Sequence, residues 1–317
     1  MLYLTEAEVR ELLPMERAIE LVRAVLTDAG AGRAPVLPRR RVRAGGAVLA
    51  VMAAAWRPQE GRSLLGAKVY AASRGGAHFH VLLWDGDTGE PLALVEADRL
   101  GQVRTGAASA VATAAMARPE SERLFVVGAG YQAETQVEAI ARVLPLRRVE
   151  VYSRTPARRE AFARAMAERL GLEVTAVADP EAAAARADVV VTVTDAADPV
   201  LLGRWLRPGC HVNAAGSNRA EHRELDAEAV LRADVVAVDD LEGARLEAGD
   251  LLAAERAGWS WERAVPLGEI LRGSRPGRPG AEAVTLFESQ GIASEDVATA
   301  AFVYRQALAA GRGRPVP

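Results

Sequence analysis

The pattern of hydrophobic positions changes character twice along the chain. Thr5 and Glu8 stand at capping-box spacing, and apolar residues then recur at helical intervals through Leu26, which predicts an N-terminal helix. From Val36 to Val95 the period shortens to that of strands. Ala47 to Ala54, Gly66 to Ala71 and His78 to Trp84 are β-like runs, and Asp85-Gly86-Asp87-Thr88-Gly89 predicts a hairpin turn after the last of them. The small apolar stretch Thr105 to Ala117 predicts a helix that Arg118-Pro119 ends.

From Arg123 onward strand and helix alternate, as a parallel sheet requires. Predicted strands are Leu124–Val127, Val149–Tyr152, Val174–Val177, Asp188–Val193, His211–Asn213 and Val235–Val238, with helices over Ala133–Val143 and Ala157–Arg169. Arg272 to Gly280, rich in Gly, Arg and Pro, reads as a loop. Leu286 and Phe287 predict one more strand, and Ser294 is expected to cap a final helix reaching Ala310. The fold class is therefore α/β, a Rossmann doubly wound parallel sheet accompanied by a smaller α+β domain.

The first strand–helix junction of that sheet reads Gly128-Ala129-Gly130-Tyr131-Gln132-Ala133. Gly128 permits the tight turn, Gly130 lets backbone approach a pyrophosphate, and Ala133 lets the helix pack on the sheet. The free N–H groups of the helix start then face the phosphates. Tyr131 and Gln132 belong to this first turn. After the second strand an NAD-specific chain usually carries a carboxylate for the ribose hydroxyls. Here stand Ser153, Arg154 and Thr155, with Arg158 one turn on. Hydroxyls and guanidinium groups suit a 2′-phosphate, so NADP is the expected cofactor and NAD the alternative. Thr194 ends the fourth strand, where open α/β sheets bind ligands.

Composition narrows the classes. A length of 317 residues suits one or two domains. The formal charge of −3 offers neither nucleic acid nor an anionic membrane a partner surface. Cys210 is the single cysteine, which excludes an intramolecular disulfide and zinc sites built on several thiolates. Met1 to Glu11 mixes acidic with apolar residues, unlike a signal peptide, and no apolar run reaches the roughly 18–20 residues of a membrane span. A cytoplasmic location is expected. His78 and His80 share a strand face but lack supporting ligands, so no metal is expected; His211, His222, Trp259 and Trp261 are read as structural. Arginine greatly outnumbers lysine, which makes Lys68 conspicuous.

Blocks spread over nearly the whole chain resemble the ornithine cyclodeaminase/mu-crystallin family. They include Pro38-Arg39-Arg40, Gly66-Ala67-Lys68, Asp87-Thr88-Gly89-Glu90-Pro91, Arg104-Thr105-Gly106-Ala107, the glycine turn, Pro208-Gly209-Cys210-His211-Val212-Asn213, Gly216-Ser217-Asn218, Glu224-Leu225-Asp226 and Thr285-Leu286-Phe287-Glu288-Ser289-Gln290-Gly291, with Asp296 after it. The resemblance implies a substrate-binding and dimerisation domain made of residues 1–118 with 292–317, and a Rossmann domain over 119–291. It implies a homodimer and a small amino or imino acid substrate. Lys68 matches the lysine beside the reacting carbon, Arg104 matches a substrate-carboxylate clamp, and Arg40, with Arg39 and Arg41 to either side, best matches a second clamp. Thr105 and Ser289 match positions beside the cofactor.

A guanidinium pair fixes a carboxylate plane, and a lysine between cations has a lowered pKa suited to proton transfer. Asn218 departs from the family's deaminating branches, which place an aspartate there. An amide cannot act as a general base, although it can bond a substrate nitrogen. Asp226 is expected to cap the helix that follows it. The sequence therefore predicts an NAD(P)H-dependent reductase of small, cyclic imino acids. An ammonia-lyase of ornithine cyclodeaminase type using bound NAD is the first alternative, and a low-turnover NADP(H)-binding protein the second.

Overall fold

The computed structural model describes residues 1–316, and it opens with a short strand, β1 (Leu2–Leu4), that no sequence signal announced. The capping box forms as expected, Glu8 accepting from Thr5 N at 2.8 Å. The expected single helix is two, α1 (Glu6–Leu12) and α2 (Met15–Ala29), because Pro14 takes the N-cap position of the second. Then come β2 (Val36–Ala44), β3 (Ala47–Trp56), β4 (Leu64–Ser73), β5 (Gly76–Asp85) and β6 (Pro91–Glu96), an antiparallel meander. Helix α3 (Asp98–Met116) starts seven residues before the expected Thr105. Its first N–H groups donate to Glu6, from Asp98 N at 2.5 Å and Arg99 N at 2.9 Å, so the cap lies far away in sequence.

The alternating region contains β7 (Arg123–Val127), α4 (Tyr131–Ala141), β8 (Arg148–Tyr152), α5 (Pro156–Leu170), β9 (Glu173–Ala176), α6 (Pro180–Ala184), β10 (Val189–Thr192), β11 (His211–Ala214), α7 (Ala227–Arg232), β12 (Val235–Val238), α8 (Leu241–Glu247), α9 (Gly249–Arg256), β13 (Ala264–Pro266), α10 (Leu267–Leu271) and β14 (Thr285–Glu288). Among the described residues these strands make one parallel sheet in the order β13-β12-β14-β11-β10-β7-β8-β9. Both faces are covered. Leu124, Val126 and Val191 pack with Val137 and Ile140 of α4, while Phe125, Val190, Val212 and Leu286 enter the opposite core. The chain reverses direction across the sheet between β7 and β10, which makes their C-terminal ends the topological switch point.

Helix α11 (Ala293–Ala309) and β15 (Arg314–Pro315) return to the first sheet, whose order is β15-β1-β6-β5-β4-β3-β2. Ser294 does not cap α11. Ile292 holds the N-cap position without a side-chain bond, and Ser294 Oγ is buried with no hydrogen-bond partner among the described residues. Helix α11 packs on β3 and β4. It comes so close at Gly66 that a Cβ there would lie 2.5 Å from Val297 Cγ2.

The two compact units are Met1–Arg104 with Gly291–Pro317, and Thr105–Gln290. The first boundary falls inside α3 rather than at 118/119. The second part of α3 is held within the Rossmann unit: Asn213 Nδ2 donates to Thr113 Oγ1 at 2.9 Å, and a Cβ at Gly106 would lie 2.4 Å from the Thr135 carbonyl oxygen. Among the described residues no helix is long and apolar enough to cross a membrane.

Candidate active site

In the first unit, alternation along β4 turns Leu64, Gly66 and Lys68 to the covered face of the sheet. Gly66 lets α11 settle against the strand, and that descent brings Asp296 to Lys68. Lys68 Nζ donates to Asp296 Oδ1 at 2.7 Å. Helix α3 approaches the same ammonium group through Gly101, where a Cβ would lie 2.9 Å from Nζ. Arg104, one turn further along α3, donates from Nε to Asp296 Oδ1 at 3.1 Å and from Nη1 to Glu295 Oε2 at 3.0 Å. The side chains of Lys68, Arg104, Glu295 and Asp296 are all at least nine-tenths buried.

The second arginine of this cluster is Arg39, not Arg40. Strand β2 carries a bulge, its pairing with β3 shifting between Leu37 and Arg40. One extra residue reverses which side chains face the core. Arg39 is buried and donates from Nη2 to the Gly291 carbonyl at 3.0 Å, whereas Arg40 lies exposed on the other face. Gly291 has φ +71°, and a Cβ on it would lie 2.4 Å from Arg104 Nη1. Its backbone thus packs against one guanidinium and accepts a bond from the other.

Three cations and two carboxylates leave this cluster one positive charge in excess when Lys68 is protonated. A buried excess charge is costly, and a monocarboxylate would neutralise it. Burial draws the Lys68 ammonium down to about 8; Asp296 opposes the shift, and Arg104 and Arg39 add to it. Burial works against ionisation of Asp296, yet Arg104 and Lys68 hold its carboxyl below the usual range.

In the Rossmann unit, Gly128 follows β7 with φ +122°, and a Cβ there would lie 2.6 Å from the Val193 carbonyl oxygen. Only glycine fits this crossing at the switch point. Gly130 is the N-cap of α4 and makes no side-chain cap bond, so the first N–H groups of the helix have no side-chain acceptor at the N-cap. A Cβ on Gly130 would meet nothing within 4 Å. Open space beside an uncapped helix start is what a pyrophosphate needs. Tyr131 is exposed and Gln132 half-buried in the first turn, and Ser153, Arg154, Thr155 and Arg158 stand, largely exposed, at the end of β8 and start of α5.

The remaining expected residues are more deeply engaged. Glu224 is a buried anchor for the loops after β10 and β11, accepting from Thr192 Oγ1 at 3.0 Å, Thr194 N at 2.6 Å, Thr194 Oγ1 at 2.7 Å and Gly216 N at 2.8 Å. Burial raises its carboxyl despite these bonds. Asp250 in turn accepts from Glu224 N and Leu225 N at 2.8 and 2.9 Å. Thr194 therefore shapes the switch-point loop with a hydroxyl bonded to Glu224. Asn218 lies half-buried in the loop after β11. Ser289 is buried, its hydroxyl 3.5 Å from Asp239 Oδ2, and the Thr105 carbonyl accepts from Gln136 Nε2 at 3.4 Å. Asp226 caps α7 as expected, accepting from Ala229 N at 2.9 Å. His211 is buried between Thr285 Oγ1 and Asn213 Oδ1, and Trp259 packs edge-on against Trp261.

Sequence reasoning passed over Glu295 and Asp250, and named Glu224 and Asp296 only as parts of motifs. A buried carboxylate earns its role from partners distant in sequence, and Asp296 lies 228 positions from Lys68.

Comparison with known proteins covers the same ground. The family model of the ornithine cyclodeaminase/mu-crystallin family matches residues 1–311. A Δ1-pyrroline-2-carboxylate reductase of Bacillus cereus is 39% identical over 238 residues, 74% of this chain and 73% of the relative. The solved Δ1-pyrroline-2-carboxylate reductase of Thermococcus litoralis, in complex with NADH and L-proline, superimposes with a TM-score of 0.93 at 33% identity, covering 100% of both chains. An archaeal alanine dehydrogenase dimer with bound NAD gives a TM-score of 0.93 at 30% identity, covering 100% of this chain and 99% of that one.

Proposed function

The chain belongs to the ornithine cyclodeaminase/mu-crystallin family, and from that premise we propose that it is an NAD(P)H-dependent reductase of small cyclic imino acids. The observation that carries this reading is the buried cluster of Arg39, Lys68 and Arg104, one positive charge in excess of Glu295 and Asp296. It suits a substrate that brings one carboxylate and needs one proton. The likeness to pyrroline-carboxylate reductases supports the same substrate class.

In this mechanism a bound reduced nicotinamide dinucleotide supplies the hydride. The guanidinium groups of Arg39 and Arg104 take the substrate carboxylate and hold the adjacent C=N carbon in orientation. The Lys68 ammonium gives its proton to the imine nitrogen, which becomes the secondary amine of the reduced ring as its C=N carbon takes the hydride. Drawn down to about 8, Lys68 holds that proton at neutral pH and releases it more readily than an ordinary lysine. The turn at Gly128 and Gly130, with Tyr131 and Gln132, would hold the pyrophosphate at the start of α4. Ser153, Arg154, Thr155 and Arg158 would take the ribose end, and their hydroxyl and guanidinium groups support a preference for NADP(H) over NAD(H). Thr194, Thr105 and Ser289 would line and stiffen the dinucleotide site. With an amide in place of a carboxylate, Asn218 supplies no base for deamination, which argues against the ammonia-lyase reading.

We further propose a cytoplasmic homodimer. The outer face of the first sheet carries a groove of about 560 Å³ lined by Pro35, Leu37, Ala53, Ala55, Leu65 and Trp84, with Leu37 68% exposed. An apolar surface of this kind suits a second copy of the chain, and the archaeal relative is a dimer. Sedimentation of the wild type and of Leu65→Glu tests this. A monomeric wild type refutes it.

The reaction is tested by mixing the protein with Δ1-pyrroline-2-carboxylate or Δ1-piperideine-2-carboxylate and NADPH or NADH, following absorbance at 340 nm. Stoichiometric loss of the reduced cofactor is expected, fastest with NADPH. Release of ammonia from ornithine without net change in cofactor, and no reduction of either imine, would defeat the proposal.

A further inference from the structure

We propose that Asp296 is the positioning residue of the Lys68 site, its Oδ1 tying the proton donor to the carboxylate clamp and its charge keeping Lys68 able to hold a proton. The proposal rests on the reductase reading above.

Geometry comes first. A single oxygen, Oδ1, accepts from Lys68 Nζ at 2.7 Å and from Arg104 Nε at 3.1 Å. Two cations bonded to one atom cannot drift apart, so their separation is set by the position of that atom. The other oxygen, Oδ2, is buried and has no hydrogen-bond partner among the described residues. Asp296 is therefore held by the groups it positions and by the seating of α11, fixed where Val297 meets Gly66.

Charge comes second. The groups acting on Lys68 are Arg39 from β2, Arg104 from α3 and Asp296 from α11, with the ring of Phe79 on β5 centred 5.6 Å from Nζ. Glu295 accepts from Arg104 Nη1 at 3.0 Å. Asp296 is in direct contact with the ammonium, at 2.7 Å. Without it, a buried amine between two guanidinium groups would be neutral at physiological pH and could no longer deliver a proton. The Asp296 side chain is fully buried against both cations, which suits holding them.

The sequence permits a direct test. Lys68 is the only lysine of the chain, so protein grown on lysine labelled with ¹³C at Cε gives one side-chain resonance that reports its protonation in the absence of substrate. The wild-type midpoint is expected at about 8. In Asp296→Asn it should fall by about one to three pH units, the ordinary effect of removing an adjacent opposite charge. Glu295→Gln should move it less. The alkaline limb of the kcat/KM profile for Δ1-pyrroline-2-carboxylate should shift toward acid with the midpoint.

Asp296→Glu separates charge from position: the midpoint should stay near the wild-type value while KM for the imino acid rises at least about tenfold, since even small misplacements of a clamp are costly. It also serves if Asp296→Asn fails to fold. Equal midpoints in the wild type and Asp296→Asn, or an unchanged KM in Asp296→Glu, would overturn the proposal. A wild type that titrates as expected but reduces no imino acid defeats the reductase reading and leaves the pairing of Lys68 with Asp296 standing.

Discussion

Gly291→Ala is the sharpest probe of how the cluster is built. The residue sits at φ +71°, where an alanine costs about 1–2 kcal/mol from backbone strain alone. The new methyl carbon would lie 2.4 Å from Arg104 Nη1 and 2.9 Å from Nη2. To restore ordinary contact the guanidinium has to retreat by about 1 Å. That movement breaks the 3.0 Å bond to Glu295 and the 3.1 Å bond to Asp296. One charge-assisted bond is worth about 1.5–3 kcal/mol, so KM for the imino acid should rise roughly ten- to hundredfold. Initial rates at 340 nm across imino-acid concentrations measure this, and quenching of tryptophan fluorescence measures dinucleotide binding, which should be unchanged. Thermal unfolding should fall by a few degrees. Gly46→Ala is the control, because a Cβ there meets nothing within 4 Å. If Gly291→Ala matched Gly46→Ala in both KM and melting temperature, the packing of Gly291 against Arg104 would be wrong.

Other expectations follow from the same geometry. Lys68→Arg keeps the charge but has no releasable proton, so kcat should fall about 10²- to 10⁴-fold while dinucleotide binding persists, as equilibrium titration can show; wild-type turnover in this variant would remove the proton-transfer role. Arg154→Ala combined with Arg158→Ala should raise KM for NADPH roughly tenfold or more and leave KM for NADH little changed; equal effects on both would point away from a 2′-phosphate site. Glu288 is raised well above the usual carboxylate range by burial and then by the carboxylates of Asp250, Glu224 and Asp239, and Asp250 is pushed to about 7. Raised carboxyl groups contribute stability that is present below their unfolded values and lost as pH rises through the folded ones. Melting temperature should therefore fall from about pH 5 to pH 8, and Glu288→Gln, which cannot ionise, should flatten that fall; parallel curves for the two proteins would contradict it.

The sequence by itself determined seven of the eight Rossmann strands and the first two helices, because those strand–turn–helix units are specified by residues close together in the chain, while β13 and most of the later, shorter helices went unannounced. Gly128 and Ala133 announce their turn from local steric needs and Gly130 from the room a phosphate requires, and the fully apolar runs announce strands buried on both faces. Lys68 was legible for a different reason, standing out against a background of arginine. Tertiary structure alone decided the rest. The bulge in β2 exchanged Arg40 for Arg39, and nothing in three consecutive arginines reveals which of them an inserted residue will turn inward. The start of α3 depended on a cap from Glu6, and the engagement of Thr194 and Ser289 on Glu224 and Asp239. Asp296 acquired meaning only when α11 settled on Gly66 beside Lys68. Local propensity reads from neighbours in sequence, whereas the pairing of buried charges is set by which distant elements pack together and how closely.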